Sequence, residues 1–208
     1  MTGVSAIVLA AGAGSRFGGD KLLALYLGKT LIEATLDGLR ESPVDEIIVV
    51  VGKKVEELRS VCEPYGVRVL ENSDWEDGMS TSVLAGLAVT EPEARAAVVL
   101  LADQPLVGSE AVVRLMEAFD AGASVAVATY DGAPRNPVLF ARKTWPLLEE
   151  ELSGDEGARG FIRRHPDLVT GVPCDDVADP VDVDTVEDLG RLEERVAAEA
   201  TPEQRRRA

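Results

Sequence analysis

The strongest restriction on how this chain folds lies at its N-terminus, where an apolar run passes directly into glycine. Val4-Ser5-Ala6-Ile7-Val8-Leu9-Ala10-Ala11 is almost free of polar side chains, and Gly12 to Gly19 then carries four glycines in eight residues. An unbroken apolar run of this length fits a strand covered on both faces, as in a parallel sheet flanked by helices. The glycine-rich segment must be a loop, and its backbone N–H groups are free to approach an anion closely.

The rest of the chain repeats this alternation. Leu31, Ile32, Thr35, Leu36 and Leu39 recur at helical spacing, and Ser42-Pro43 stops that helix. Glu46–Val51, Val67–Leu70 and Ala96–Leu101 read as further strands, and Val55–Val61 and Ser80–Val89 as helices. Ser109 is the expected N-cap of a helix reaching Phe119. Ser124–Thr129 and Pro137–Phe140 read as strands, and Lys143–Leu152 and Ala158–Arg164 as helices. Val181–Asp184 is a short extended piece, and Thr185 with Asp188 forms a capping box for the last helix. The pattern predicts an α/β fold with a mainly parallel sheet. It forms one domain over residues 1–200, with a charged tail at 201–208. Tyr130–Gly171 breaks strict alternation and is expected to form a lid or acceptor subregion.

Charge narrows the function. With 21 basic and 37 acidic residues the formal net charge is −16, which disfavours general binding to nucleic acid or to an anionic membrane. Any phosphate site must then be a local concentration of backbone N–H groups, Arg, Lys and metal. Cys62 and Cys174 are the only cysteines. They argue against a disulfide scaffold or a structural zinc site and fit a reducing cytoplasm. Val4–Ala11 lacks the basic flank of a secretory signal, and no apolar run reaches the roughly 18 residues of a membrane span.

Five motifs carry candidate chemistry. In Gly12–Lys21, Arg16 and Lys21 add cations to the loop amides. The dinucleotide fingerprint fails because Phe17 stands at its third glycine, and the P-loop pattern fails because Asp20 follows Gly19. A glycine-rich turn with surface cations is the plain alternative. Asp103 ends an apolar strand, where open α/β sheets bind ligands, and Mg²⁺ takes one or two carboxylates plus phosphates; a turn-capping Asp is the alternative. Asp182 and Asp184 alternate on an extended segment and so share a side. One of them is a candidate second metal ligand, unless both serve only the following helix start. Asn72, Gly78, Ser80 and Ser82 surround a helix N-terminus able to receive a base or phosphate, or only to cap it. Arg135, Asn136 and Pro137, with Asp155 and Arg159 downstream, are candidates for holding a phosphate-bearing acceptor, or are solvated loop residues. His165, the single histidine, reads as solvent-exposed, which disfavours a His base. Trp75 and Trp145 read as packing residues.

In order and spacing these motifs resemble the MobA-like nucleotidyltransferases, above all the molybdenum cofactor cytidylyltransferases. The matching elements are Leu9-Ala10-Ala11-Gly12 with Ser15-Arg16-Phe17-Gly18 and Lys21-Leu22-Leu23, then Gly28-Lys29-Thr30-Leu31 and Asn72 with Gly78 and Ser80. Asp103-Gln104-Pro105, Asn136-Pro137-Val138-Leu139-Phe140, Gly154-Asp155-Glu156-Gly157-Ala158-Arg159 and Asp182-Val183-Asp184-Thr185 follow. The resemblance implies a Rossmann-like three-layer sandwich of the nucleotide-diphospho-sugar transferase type. It implies transfer of CMP from CTP to the phosphate of molybdenum-loaded molybdopterin, with Mg²⁺ as cofactor and a molybdenum hydroxylase as client.

By the same resemblance Leu9, Ala10, Ala11, Gly12, Gly14, Ser15, Arg16, Phe17 and Lys21 would bind the nucleotide, with Asn72, Gly78, Ser80, Ser82, Asp103, Gln104 and Pro105. Arg16, Lys21 and Asp103 would be catalytic, Asp103 and Asp184 would hold the metal, and Arg135, Asn136, Pro137, Asp155 and Arg159 would face the acceptor. A guanylyltransferase, a same-fold enzyme for another phosphorylated acceptor, a dinucleotide-dependent oxidoreductase and a non-catalytic cofactor carrier are the rival readings.

Overall fold

A computed structural model describes residues 2–12 and 14–199; the tail 201–208 and Ala13 lie outside the described residues. Seven strands form one sheet: β1 (Val4–Ala10), β4 (Glu46–Val51), β5 (Arg68–Glu71), β6 (Ala96–Leu101), β7 (Val125–Tyr130), β8 (Ala133–Ala141) and β9 (Val169–Pro173). Their order is β5-β4-β1-β6-β8-β7-β9. β2 (Leu25–Tyr26) and β3 (Lys29–Thr30) make a separate small hairpin. All neighbours pair parallel except β8, which runs antiparallel to both β6 and β7.

Alternation along β1 explains the layers. Val4, Ala6, Val8 and Ala10 face one core, built with α1 (Leu31–Leu39), α2 (Val55–Cys62) and α4 (Ser109–Asp120). Ile7 and Leu9 face the other, built with α3 (Met79–Ala88), α5 (Trp145–Glu151) and α6 (Gly157–Arg164). Every residue of β1 is buried, and each fully buried Ile or Val contributes about 1.5–3 kcal/mol. At Gly86 of α3 a Cβ would sit 2.5 Å from Ile7 Cγ2, so glycine there lets the helix lie close on the sheet. α7 (Val186–Glu199) instead packs Leu189 and Leu192 against Tyr26, Leu31 and Val183, closing a third, smaller core over the hairpin.

Several local expectations change. Gly108, not Ser109, is the N-cap of α4, and no side chain caps it. α1 starts from a capping box: Thr30 Oγ1 accepts from the Glu33 N–H, and Glu33 Oε2 accepts from the Thr30 N–H at 2.7 Å. Residues 130–171 supply no separate lid; β8 is an interior strand and α5 and α6 roof the sheet. His165 is not solvent-exposed. Its side chain is 23% exposed, Nε2 lies 2.9 Å from both Glu151 oxygens, and the ring sits 4.6 Å from that of Phe161. No described helix is long and apolar enough to cross a membrane.

Candidate functional site

β1 is the topological switch. From it the chain moves outward to β4 and β5, then crosses to β6 on the other side. The carboxyl ends of β1, β4 and β6 therefore diverge around one crevice, the place where open α/β sheets bind ligands. A cleft of about 350 Å³ lies there, within the size range of small-ligand sites.

Short backbone ties fix its floor. The Ala102 N–H donates to the Leu9 carbonyl at 3.0 Å, holding the loop after β6 against β1. The Thr35 hydroxyl of α1 donates to the Ala102 carbonyl at 2.9 Å. The Val183 N–H donates to the Asp103 carbonyl at 3.0 Å, which brings the extended segment before α7 to the end of β6. Asp103 and Asp184, 81 residues apart by their numbers, thereby become neighbours.

Lys21 lies between them. Its Nζ is 2.6 Å from Asp103 Oδ2 and 3.4 Å from Asp184 Oδ1, and its side chain is only 13% exposed. The 3₁₀ turn Lys21–Leu23 carries it, and Leu22 and Leu23 anchor that turn on the first core. Arg16 donates to Asp184 Oδ2 at 2.8 Å from a far more exposed position. Asp182 points elsewhere: the Gln104 amide donates to its Oδ1 at 2.9 Å and to the Pro180 carbonyl at 3.1 Å. Burial, and then the charge of Asp103, push the Asp182 carboxyl above its ordinary pKa, against the hydrogen bond from Gln104. Asp184 is the carboxylate that shares a partner with Asp103.

These residues fit a divalent cation. Two hard oxygen donors converge on one point, now marked by the Lys21 nitrogen. Among the described residues no group of three or more His, Cys, Asp or Glu side chains is placed to hold a metal. A site of two carboxylates leaves the remaining positions to phosphates and water, the preferred arrangement of Mg²⁺.

Leu9, Ala10, Ala11, Gly12, Gly14, Lys21, Ser82, Asp103 and Asp155 all line the cleft. The other residues expected at the nucleotide do not reach its wall. Ser15 is exposed, and Phe17 packs on the third core. Asn72 is buried, donating to Thr81 Oγ1 and Ser82 Oγ at 2.8 and 3.0 Å. Ser80, Gln104 and Pro105 are buried as well, so they support the wall from behind. Gly78 contributes through its backbone. Its φ is +117°, and a Cβ there would lie 2.3 Å from the Gly154 carbonyl carbon. That close approach brings Asp155 to the start of α3, where Asp155 Oδ1 accepts from the Met79 N–H at 3.3 Å.

Lys53, Lys54, Trp75 and Glu76 also line the cleft, and sequence reasoning did not single them out for it. Trp75 packs over Gly52, where a Cβ would fall 2.4 Å from its Cγ, and Lys53 Nζ lies 4.6 Å from its ring centroid. Trp145 is the buried packing residue expected. The glycine Gly52 after β4 was the available sign of a close approach there.

A second cavity of about 380 Å³ opens between β8 and α6, lined by Arg135, Asn136 and Arg159 with Val127, Val138 and Ile162. A register shift in β8 opposite Val127 and Ala128 absorbs the Asn136-Pro137 step, as bulges do where Pro cannot donate to the ladder. Pro137 and Asp155 stay outside this cavity. The charge of Arg159 offsets a small part of the rise in the Asp182 pKa.

Fold and site together define an α/β protein with a ligand cleft at the switch point of its sheet and two carboxylates sharing one lysine there. Residues 6–169 match the MobA-like NTP transferase domain, and the chain belongs to that nucleotidyltransferase family. It is 36% identical to nicotine blue oxidoreductase of Paenarthrobacter nicotinovorans, over 91% of this chain and 96% of that one. It is 31% identical to a probable molybdenum cofactor guanylyltransferase of Thermococcus gammatolerans, over 89% and 96%. Among solved structures, Rv0371c of Mycobacterium tuberculosis in complex with manganese superposes with a TM-score of 0.79 at 29% identity, covering 92% of this chain and 97% of that one.

Proposed function

We propose that this nucleotidyltransferase moves CMP from CTP to the phosphate of molybdenum-loaded molybdopterin in the cytoplasm and passes the product to a molybdenum hydroxylase. The observation that carries the transfer chemistry is the convergence of Lys21, Asp103 and Asp184 beneath the glycine-rich loop. A similar protein solved in complex with manganese supports the use of a divalent cation, and we assign Mg²⁺ to Asp103 and Asp184. The acceptor assignment rests on the second cavity. The two buried free thiols, Cys62 and Cys174, fit a reducing compartment.

In this mechanism the amides of Ala11, Gly12 and Gly14, which line the cleft, hold the triphosphate, and Lys21 and Arg16 offset its charge. Arg135 and Arg159 orient the acceptor so that a phosphate oxygen approaches the α-phosphorus opposite the pyrophosphate. A new P–O bond forms as the bond to pyrophosphate breaks, and no proton needs to move, because the attacking monoester is already ionised near neutral pH. The cation, when bound, neutralises charge on the α-phosphate and the leaving group. The protein's part is positioning and electrostatics.

The test is pyrophosphate release with Mg²⁺ and molybdenum-loaded molybdopterin, comparing CTP, GTP, ATP and UTP. A CTP preference supports the reading; a GTP preference reassigns the base and keeps the phosphate and metal roles. Arg135→Ala should raise the acceptor KM and leave the CTP KM unchanged.

A second reading, pyridine-nucleotide oxidoreduction, is favoured by one observation, the 36% identity to nicotine blue oxidoreductase over almost the whole of both chains. Phe17 at the third fingerprint position counts against it. Consumption of NADH or NADPH with a dye acceptor, and silence with all four triphosphates, would select it.

A further inference from the structure

The proposed metal position already holds a cation of the protein's own. Lys21 Nζ touches both carboxylates that would ligate the ion, at 2.6 Å for Asp103 and 3.4 Å for Asp184, and Arg16 adds a second contact to Asp184 at 2.8 Å. The two carboxylates and the two cations that touch them cancel in charge. A divalent ion that arrives alone meets no uncompensated carboxylate pair, although the chain as a whole is strongly acidic.

Lys21 is built to change partner. Its backbone is fixed, since the Lys21 N–H donates to the Gly19 carbonyl at 3.0 Å and its own carbonyl accepts from the Ala24 N–H at 3.1 Å. Its flexible four-carbon stem runs beneath the glycine-rich loop, where a Cβ on Gly14 would lie 3.6 Å from Lys21 Cβ. The ammonium can therefore point down to the carboxylates or up toward phosphates held by that loop, with only side-chain torsions changing.

We propose that Lys21 is a placeholder for the divalent cation: it occupies the carboxylates while the cleft is empty and releases them when nucleotide phosphates offer it a new partner. This rests on the assignment of Asp103 and Asp184 as metal ligands. Metal and nucleotide then bind with positive coupling, because each favours the same position of one side chain, and the coupling is reciprocal. Metal without nucleotide must displace the ammonium from two charge-assisted contacts. Lys21 is in this respect a positioning residue, in addition to any contact with phosphate.

The test is a titration with Mn²⁺ alone, following the paramagnetic signal of the free ion, on the full chain without nucleotide. Lys21→Met and Lys21→Gln should bind Mn²⁺ at least about tenfold more tightly than the wild type, equivalent to about 1.4 kcal/mol of relieved competition. Lys21→Arg, which keeps a cation at the site, should stay near the wild-type affinity. Adding Asp103→Asn to Lys21→Met should abolish the gain. Wild-type or weaker Mn²⁺ affinity in both neutral variants, with unchanged circular dichroism, overturns the placeholder and leaves the ligand assignment standing. A gain that survives Asp103→Asn places the ion elsewhere and overturns both.

Discussion

Replacing Gly78 by alanine tests the contact that closes the cleft. At φ +117° and ψ 169° the backbone occupies a region open essentially to glycine alone, and an alanine there costs about 1–3 kcal/mol. The added Cβ would also lie 2.3 Å from the Gly154 carbonyl carbon, 2.5 Å from its oxygen and 2.8 Å from the Asp155 nitrogen. These are backbone atoms, so no rotamer change relieves the overlap, and overpacking adds about 1–3 kcal/mol. A total near 4 kcal/mol is a large share of the roughly 5–15 kcal/mol that holds a domain together, and lowers Tm by roughly 8–16 °C for a chain of this length. Gly154→Ala supplies the control. Its φ is +60° but nothing lies within 4 Å of its Cβ, so it incurs only the left-handed cost of about 1–2 kcal/mol. Thermal melts by circular dichroism would compare the two variants, with calorimetric nucleoside triphosphate titration beside them. The chain can also relieve the clash by swinging Gly154 and Asp155 outward, which moves the loss from Tm to nucleotide affinity. If Gly78→Ala melts no lower than Gly154→Ala and binds nucleotide like the wild type, the packing of this loop on the start of α3 is wrong.

Three further outcomes are expected. Asp103→Ala should lose on the order of 10³-fold or more in turnover while folding normally; near-wild-type turnover refutes its role. The His165 ring, and then Arg164, hold Glu151 below its ordinary pKa of 4.5, so its stabilisation is present above that value and lost as pH falls through the lowered one. Urea unfolding should show a gap between wild type and Glu151→Gln at about pH 5.5 that narrows by about pH 3.5, and a constant gap contradicts the pairing. Burial, with a small push from Glu33, raises the Cys62 thiol to about 11; a disulfide reagent at mildly alkaline pH should modify it only after unfolding, and labelling at the native rate of an exposed thiol would place it wrongly.

The parallel half of the sheet is legible in the chain because burial on both faces writes itself as an apolar run: Val4–Ala10, Glu46–Val51 and Ala96–Leu101 need no partner to be recognised. The last capping box is legible for a similar reason, since Thr185 and Asp188 exchange bonds within a single turn. β9 is not legible: Thr170 and Gly171 are exposed on an edge strand, so no apolar pattern marks it. The hairpin of β2 and β3 has two residues per strand, too few to show a period. Strand direction leaves no trace in composition, which hides the reversed β8 inside what looks like a continuing alternation. At the site, Asp103 and Lys21 stood out by local context. Lys53 and Trp75 did not, because their place on the wall depends on Gly52 and on the tertiary meeting of two loops. His165 acquired its partner through the packing of α5 against α6, across 14 residues.

The reversed β8 also sets a constraint on synthesis. β6 takes β8 as its outer neighbour, yet 40 residues separate the end of β6 from the end of β8. At about 5–20 residues per second, a nascent chain carries β6 for roughly 2–8 s before that neighbour has been made. During that interval Ala96–Leu101, six apolar residues in a row, present an unpaired edge able to pair with another chain. β7 cannot shield it in place, because β7 joins the sheet only through β8. Truncations between residues 102 and 132 should therefore aggregate, and the yield of the full chain should depend on what covers that edge while the ribosome finishes β8.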